Sequence, residues 1–142
     1  MAEIPPQKLR ELVLQLLFSL DMGGEEASID IVQREAQVSK KNAIKALEQA
    51  QAIFAGREGF DAQIAHISTE YAFERIAFLD RNILRLSLFE KAKGELPQAI
   101  VVAESLRLAR KFSSKEAPRF INAILEECYG SAVSTQEGEA TL

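Results

Sequence analysis

The sequence predicts an all-α fold of about seven helices, and three observations carry that expectation. Apolar residues recur at i, i+3, i+4 and i+7 in one segment after another. No run shows period-two alternation bounded by turn residues, so no strand is expected. Proline and glycine fall between the periodic segments, at Pro5-Pro6, Gly23-Gly24, Gly56, Gly94 and Pro97, where they start and stop helices.

Pro5-Pro6 opens a first helix that runs to about Met22 and stops at Gly23-Gly24. Its core stripe is Leu9, Leu12, Val13, Leu16 and Leu20. Leu14 and Phe18 sit beside each other on a different face, with Lys8 and Arg10 toward the beginning of the helix. That second apolar face reads either as burial on two sides or as a patch for a partner. A loop follows, then a short helix near 29–35 for which Ser28 is a candidate N-cap. Ser39 caps the next helix, which reaches about Arg57 with the stripe Ala43, Leu47, Ala50 and Phe54 and ends at Gly56 and Gly59. Residues 61–67 and 69–79 give two more helices, the second carrying Tyr71, Phe73, Ile76, Ala77 and Phe78.

Residues 80–129 read as the stretch around which the rest packs. The first of its three helices begins at Asp80 and breaks at Gly94. The middle one, roughly 97–112, is apolar on most of its circumference, with a polar strip at Glu104, Arg107 and Lys111. A helix apolar nearly all round is normally buried, so this one is expected to be central. The last helix carries Phe120, Ile121, Ile124, Leu125 and Cys128 on one stripe. Its start is expected at Pro118, with 113–117 as a connecting loop, because an earlier start places proline beyond the first turn. Residues 131–142 are small, polar and acidic and read as a disordered tail, leaving 1–130 as a single helical domain.

A chain of 142 residues is long enough to bury a core without disulfides or metals. A lone cysteine, Cys128, excludes an internal disulfide and fits a reducing compartment, so a cytoplasmic location is expected. No apolar run approaches the roughly 20 residues that span a bilayer. The net charge of −4 hides an uneven distribution. Residues 1–74 carry seven basic and twelve acidic side chains, residues 75–125 ten and five, and residues 126–142 none and four. A basic middle segment keeps a nucleic-acid partner open despite the acidic whole. The alternative is that solvated helix faces simply alternate in sign.

Catalytic signatures are missing. His66 is the single histidine, so paired-imidazole metal sites are excluded, and no glycine-rich phosphate loop is present. Glu25-Glu26 and Glu126-Glu127 are sequence neighbours, which splay apart on a helix and make no acid–base pair. A binding protein with no cofactor is expected, not an enzyme. Its candidate phosphate contacts are Lys8 and Arg10 on the first helix, and Lys111, Lys115 and Arg119 around the loop before the last one, with Glu116 among them. Phe120 adjoins that loop, where it either stacks on a base or packs in the core.

Several separated motifs resemble one family. Asp80-Arg81-Asn82-Ile83-Leu84-Arg85-Leu86, Leu88-Phe89-Glu90, Pro97, Ala103-Glu104-Ser105-Leu106-Arg107-Leu108-Ala109-Arg110-Lys111-Phe112 and Arg119-Phe120-Ile121-Asn122 are similar, in order and spacing, to the NusB family of bacterial transcription antitermination factors. The resemblance implies a small protein of two packed helical bundles. It implies binding of the single-stranded boxA element of ribosomal RNA leader transcripts, together with the small-subunit ribosomal protein NusE, in the RNA polymerase antitermination complex. By position, it implies RNA contacts from Lys8, Arg10, Glu116, Arg119 and Phe120, and NusE contacts from Phe18 and Asp80; an ordinary N-cap is the other reading of Asp80. The amino terminus departs from the family, which usually carries consecutive arginines where this chain has Pro5-Pro6-Gln7-Lys8-Leu9-Arg10. The resemblance therefore implies weak RNA binding by this chain alone. Two other readings stand beside it. One is a helical interaction protein of the same fold with RNA binding lost, homodimeric through its first helix. The other is the RNA-binding part of an rRNA methyltransferase, for which residues 131–142 leave no length for a methyl-donor domain.

Overall fold

The computed structural model of the chain describes residues 4–24, 29–68 and 72–141, with side chains through residue 130. Seven α-helices occur among the described residues, and no strand. They are α1 (Pro6–Asp21), α2 (Ile29–Ala36), α3 (Lys40–Ala55), α4 (Arg57–Ile67), α5 (Phe78–Lys93), α6 (Gln98–Phe112) and α7 (Ala117–Thr141). A short 3-10 turn, Phe73–Arg75, precedes α5. The expected cap at Ser28 and the aromatic Tyr71 lie outside the described residues. The helices fall into two compact units, one ending at Arg57 and one beginning at Glu58.

In the first unit α1 and α2 both pack against α3. Pro6 is the first helical residue of α1, where a missing N–H is harmless. The buried side of α1 is broader than the expected stripe and turned away from it. Leu12, Val13, Leu14 and Leu17 are buried, whereas Leu9, Leu16 and Leu20 are half-buried. Ser39 caps α3 as expected, its Oγ accepting from the Asn42 N–H at 3.2 Å. Ala43, Ala46 and Ala50 are fully buried, and side chains this small let a neighbouring helix axis come close. At the far end of α3 the Arg57 guanidinium donates to the Phe54 carbonyl at 2.9 Å and lies 3.9 Å over the Phe54 ring. That satisfies one of the orphan carbonyls at the helix end. Gly56 separates α3 from α4, and Gly59, expected to help end α3, lies inside α4.

In the second unit α5, α6 and α7 pack against one another. The most buried helix is α5; α6 packs against both α5 and α7, but residues 97–112 are not buried on most sides, contrary to expectation. Every residue from 82 to 88 is buried, including the polar Asn82, Arg85 and Ser87. On α6 only Val101, Ser105, Leu108 and Ala109 are buried, and Ile100 is exposed. The polar residues of α5 tolerate burial because each is paired. Ser87 Oγ donates to the Ile83 carbonyl at 2.7 Å, and Ser105 Oγ donates to the Val101 carbonyl at 2.7 Å. The two hydroxyl oxygens meet between α5 and α6 at 2.5 Å. Gly94 ends α5 in the left-handed conformation (φ +68°) that glycine adopts without strain.

The expected helix over 69–79 is not formed where the chain is described. Ile76 and Ala77 are extended, with ψ of 128° and 143°. Arg81 folds back over this bend, donating from Nη2 to the Ile76 carbonyl at 3.1 Å. Its guanidinium lies 4.6 Å from the Phe73 ring centre and 4.7 Å from that of Phe78. The start of α7 is one residue earlier than expected, so Pro118 falls in the first turn, where it breaks no helical bond. The bounds of α7 reach Thr141.

Candidate nucleic-acid and partner interface

Lys8 and Arg10 both lie in the opening turns of α1, Lys8 exposed and Arg10 half-buried. Along the same helix the two residues expected to face a partner separate. Phe18 is 37 % exposed, whereas Leu14 is 1 % exposed and offers nothing to a partner. The four buried residues of α1 span more than half its circumference, and Leu14 falls within that arc. Met22, one turn beyond Phe18, is 56 % exposed, and on α2 Ile31 is 45 % exposed. Sequence reading passed over both. The i, i+4 spacing of Phe18 and Met22 was the available signal.

The second group of candidates lies on the connection between α6 and α7. Ser113 ends α6 in an extended conformation, and its N–H still donates to the Ala109 carbonyl at 2.9 Å. A tight turn follows, closed by the Ala117 N–H donating to the Ser114 carbonyl at 3.2 Å. Lys115 and Glu116 are its two central residues, and both are exposed. The Phe120 N–H donates to the Glu116 carbonyl at 3.3 Å and so starts the α7 ladder. Arg119 is exposed in the first turn of α7; Phe120 is half-buried, and Ile121 beside it is fully buried. Lys115 and Glu116 thus sit on the turn, and Arg119 follows in the first turn of α7. Lys8 and Arg10 form a separate pair in the other unit.

Asp80 is neither an open partner contact nor an N-cap. The cap position of α5 is Ala77, and Asp80 is the third helical residue, 8 % exposed. Its Oδ1 accepts a 2.5 Å hydrogen bond from Ser113 Oγ, the residue that ends α6. Burial raises the Asp80 carboxyl above its ordinary range, and the Ser113 hydroxyl pulls it partly back. A first-turn carboxylate also faces the positive end of the helix dipole. Asn82 and Arg85, further along the same run, face inward as well. Asn82 is fully buried, its Nδ2 donating to the Phe78 carbonyl at 2.8 Å and its Oδ1 accepting from Arg85 Nη1 at 2.9 Å. Arg85 in turn binds both oxygens of Asp61 on α4, at 2.7 and 2.6 Å. This network is invisible to periodicity, though an arginine inside the apolar run Ile83-Leu84-Arg85-Leu86 was a cue.

Among the described residues no group of three or more His, Cys, Asp or Glu side chains could hold a metal ion. Cys128 is half-buried; burial raises its thiol, with Lys91 acting the other way. His66 is exposed on α4. No helix among the described residues is long and apolar enough to cross a membrane.

The second unit offers a charged turn with a buried polar network on α5, and the first unit offers an exposed aromatic, Phe18. The family model described as the NusB family matches residues 7–129. The chain belongs to the NusB family. It is 35 % identical over 130 residues to the transcription antitermination protein NusB of Chlamydia pneumoniae, covering 89 % of this chain and 81 % of that one. It is 34 % identical over 145 residues to the same-named protein of Symbiobacterium thermophilum, covering 94 % and 92 %. Its fold matches that of T. maritima NusB with a TM-score of 0.74 at 21 % identity, over 89 % of this chain and 91 % of that one. A chain in a crystal structure of a plectonemic RNA supercoil matches with a TM-score of 0.76, also at 21 % identity, over 89 % and 95 %. All ten candidate residues, Lys111 included, fall within the span of the NusB family match.

Proposed function

We propose that this chain is a non-enzymatic transcription antitermination factor that binds boxA-type single-stranded RNA of rRNA leader transcripts together with ribosomal protein NusE. Membership of the NusB family across residues 7–129 is the observation that carries this reading. The surface chemistry supports it. Lys8, Lys115 and Arg119 are exposed cations suited to phosphate oxygens, and Phe18 is an exposed aromatic suited to a protein partner. With few cations and an opposing Glu116, RNA affinity is weak for the chain alone and rises when NusE adds its own surface. Linkage then requires RNA to tighten the protein pair by the same factor.

The test is a titration of labelled boxA-like RNA into the protein, alone and with NusE, at two salt concentrations. Tighter binding in the presence of NusE, with affinity falling as salt rises, is the expected result. Equal, tight binding with and without NusE would overturn the cooperative reading. No binding in either case would overturn the RNA reading and leave a helical protein-interaction module.

A further inference from the structure

We infer that Asp80 is a positioning residue which, through Ser113, fixes the turn that carries Lys115 and Glu116 and leads to Arg119. The inference rests on the proposed RNA reading only for what the turn touches, not for how the turn is held.

Four observations support it. Asp80 is 8 % exposed, so its carboxylate is not laid open to a macromolecule. Its Oδ1 accepts from Ser113 Oγ at 2.5 Å across 33 residues of sequence. Ser113 is also the residue whose backbone closes α6, donating to the Ala109 carbonyl at 2.9 Å. The chain leaving Ser113 is therefore pinned by its backbone to α6 and by its side chain to α5. Immediately afterwards comes the Ser114-to-Ala117 turn, with Lys115 and Glu116 exposed at its centre. A turn anchored at its first step presents its charges in one arrangement. A turn released there spreads them over many, and each contact with RNA then carries the entropy of ordering the turn. Hydrogen bonds to a charged acceptor are among the stronger ones, which makes this single link sufficient for the task.

Amide hydrogen exchange on the full chain tests the inference without RNA. The reporters are the N–H groups of Ala117 and Phe120, which close the turn and start α7. Ser113→Ala and Asp80→Ala each accelerate exchange there by about tenfold, and the double variant by no more than either alone. Asp80→Asn keeps an acceptor oxygen and restores most of the protection. Unchanged exchange in Ser113→Ala overturns the inference, as do additive effects in the double variant or an Asn variant that behaves like Ala. Should Asp80→Ala fail to fold, Ser113→Ala decides alone. In the RNA titration with NusE, Ser113→Ala weakens binding by about the same factor as Lys115→Ala. Exchange that responds as stated, with Lys115→Ala and Arg119→Ala leaving RNA affinity untouched, keeps the positioning inference and overturns the RNA reading.

Discussion

Arg85 holds Asp61 with two parallel hydrogen bonds, from Nε at 2.7 Å and from Nη2 at 2.6 Å, bridging 24 residues of sequence and joining α5 to α4. The arginine side chain is 2 % exposed and the aspartate 21 %. Removing Asp61 takes the carboxylate away from a buried arginine, which keeps its hydrogen bond to Asn82. Asp61→Ala is expected to cost about 3 kcal/mol, the lower end of the usual range because Asp61 retains some solvent. Arg85→Lys does not preserve the link, since an ammonium cannot reproduce the fork. Urea denaturation of both variants checks this, and a loss near zero for Asp61→Ala would contradict it.

The burial pattern of the second unit gives a comparison between two leucines. Leu84 is fully buried and Leu106 half-buried. Leu84→Ala should therefore cost roughly 2–5 kcal/mol, and Leu106→Ala distinctly less. Chemical denaturation that ranks the two in the opposite order would show that α6, not α5, is the centre of the packing.

On α1 the neighbouring positions Leu14 and Phe18 should respond in different assays. Leu14→Ala destabilises the protein by roughly 2–5 kcal/mol. Phe18→Asp leaves the thermal midpoint nearly unchanged and abolishes the complex with NusE. If Phe18→Asp instead unfolds the chain, its exposed ring is part of the core after all.

The turn before α7 sets a charge test. Lys115→Ala and Arg119→Ala should each reduce the salt slope of RNA binding by about 0.7, the share of one phosphate on a single strand. Glu116→Gln should tighten binding at every salt concentration, because it removes a negative charge beside both. Unaltered slopes in both cation variants would place the RNA elsewhere on the surface.

Burial raises the Asp80 carboxyl above its usual value of 3.8, with Ser113 partly opposing. A carboxyl whose native value exceeds its unfolded value binds more protons in the folded state. Stability therefore falls as pH rises from the unfolded value through the native one, and the loss persists at neutral pH. Asp80→Asn removes this contribution. Thermal midpoints compared from about pH 4 to about pH 7 should show the variant gaining on the parent as pH rises. A gap that widens toward acid would reverse the sign and contradict the burial argument.

Helix content was legible because helices announce themselves through spacing and punctuation. Pro6, Ser39 and Gly94 each sit where the sequence places a helix end. Burial was less legible. Seven successive residues of α5 are buried although three are polar, and a hydropathy pattern counts Asn82, Arg85 and Ser87 as solvent-facing. Their partners, Asp61, Ser105 and the Phe78 and Ile83 carbonyls, are matters of packing and not of spacing. The region before α5 reads as helical because Phe73, Ile76 and Ala77 fall at i, i+3 and i+4, while the arginine that folds over the bend leaves no periodic trace. Within the candidate site, the cationic residues were readable as charge. The burial of Leu14 and the pairing of Asp80 with Ser113 depend on which helices become neighbours, which one helix's pattern does not contain.

The serine pair between α5 and α6 has a counting problem. Two hydroxyls own two protons, yet three contacts ask for one: the Ile83 carbonyl, the Val101 carbonyl and the 2.5 Å approach of one oxygen to the other. At any instant one of them goes without. When Ser87 gives its proton to Ser105, Ser105 gives its own to Val101 and Ile83 receives none; the mirror arrangement starves Val101. Either hydroxyl can donate across the contact between the two helices. Alanine at either serine ends the contest, leaving the remaining hydroxyl to its own helix, but it also removes the contact between the two helices. Threonine at both would restore the same proton shortage and add two methyl groups where the oxygens already touch.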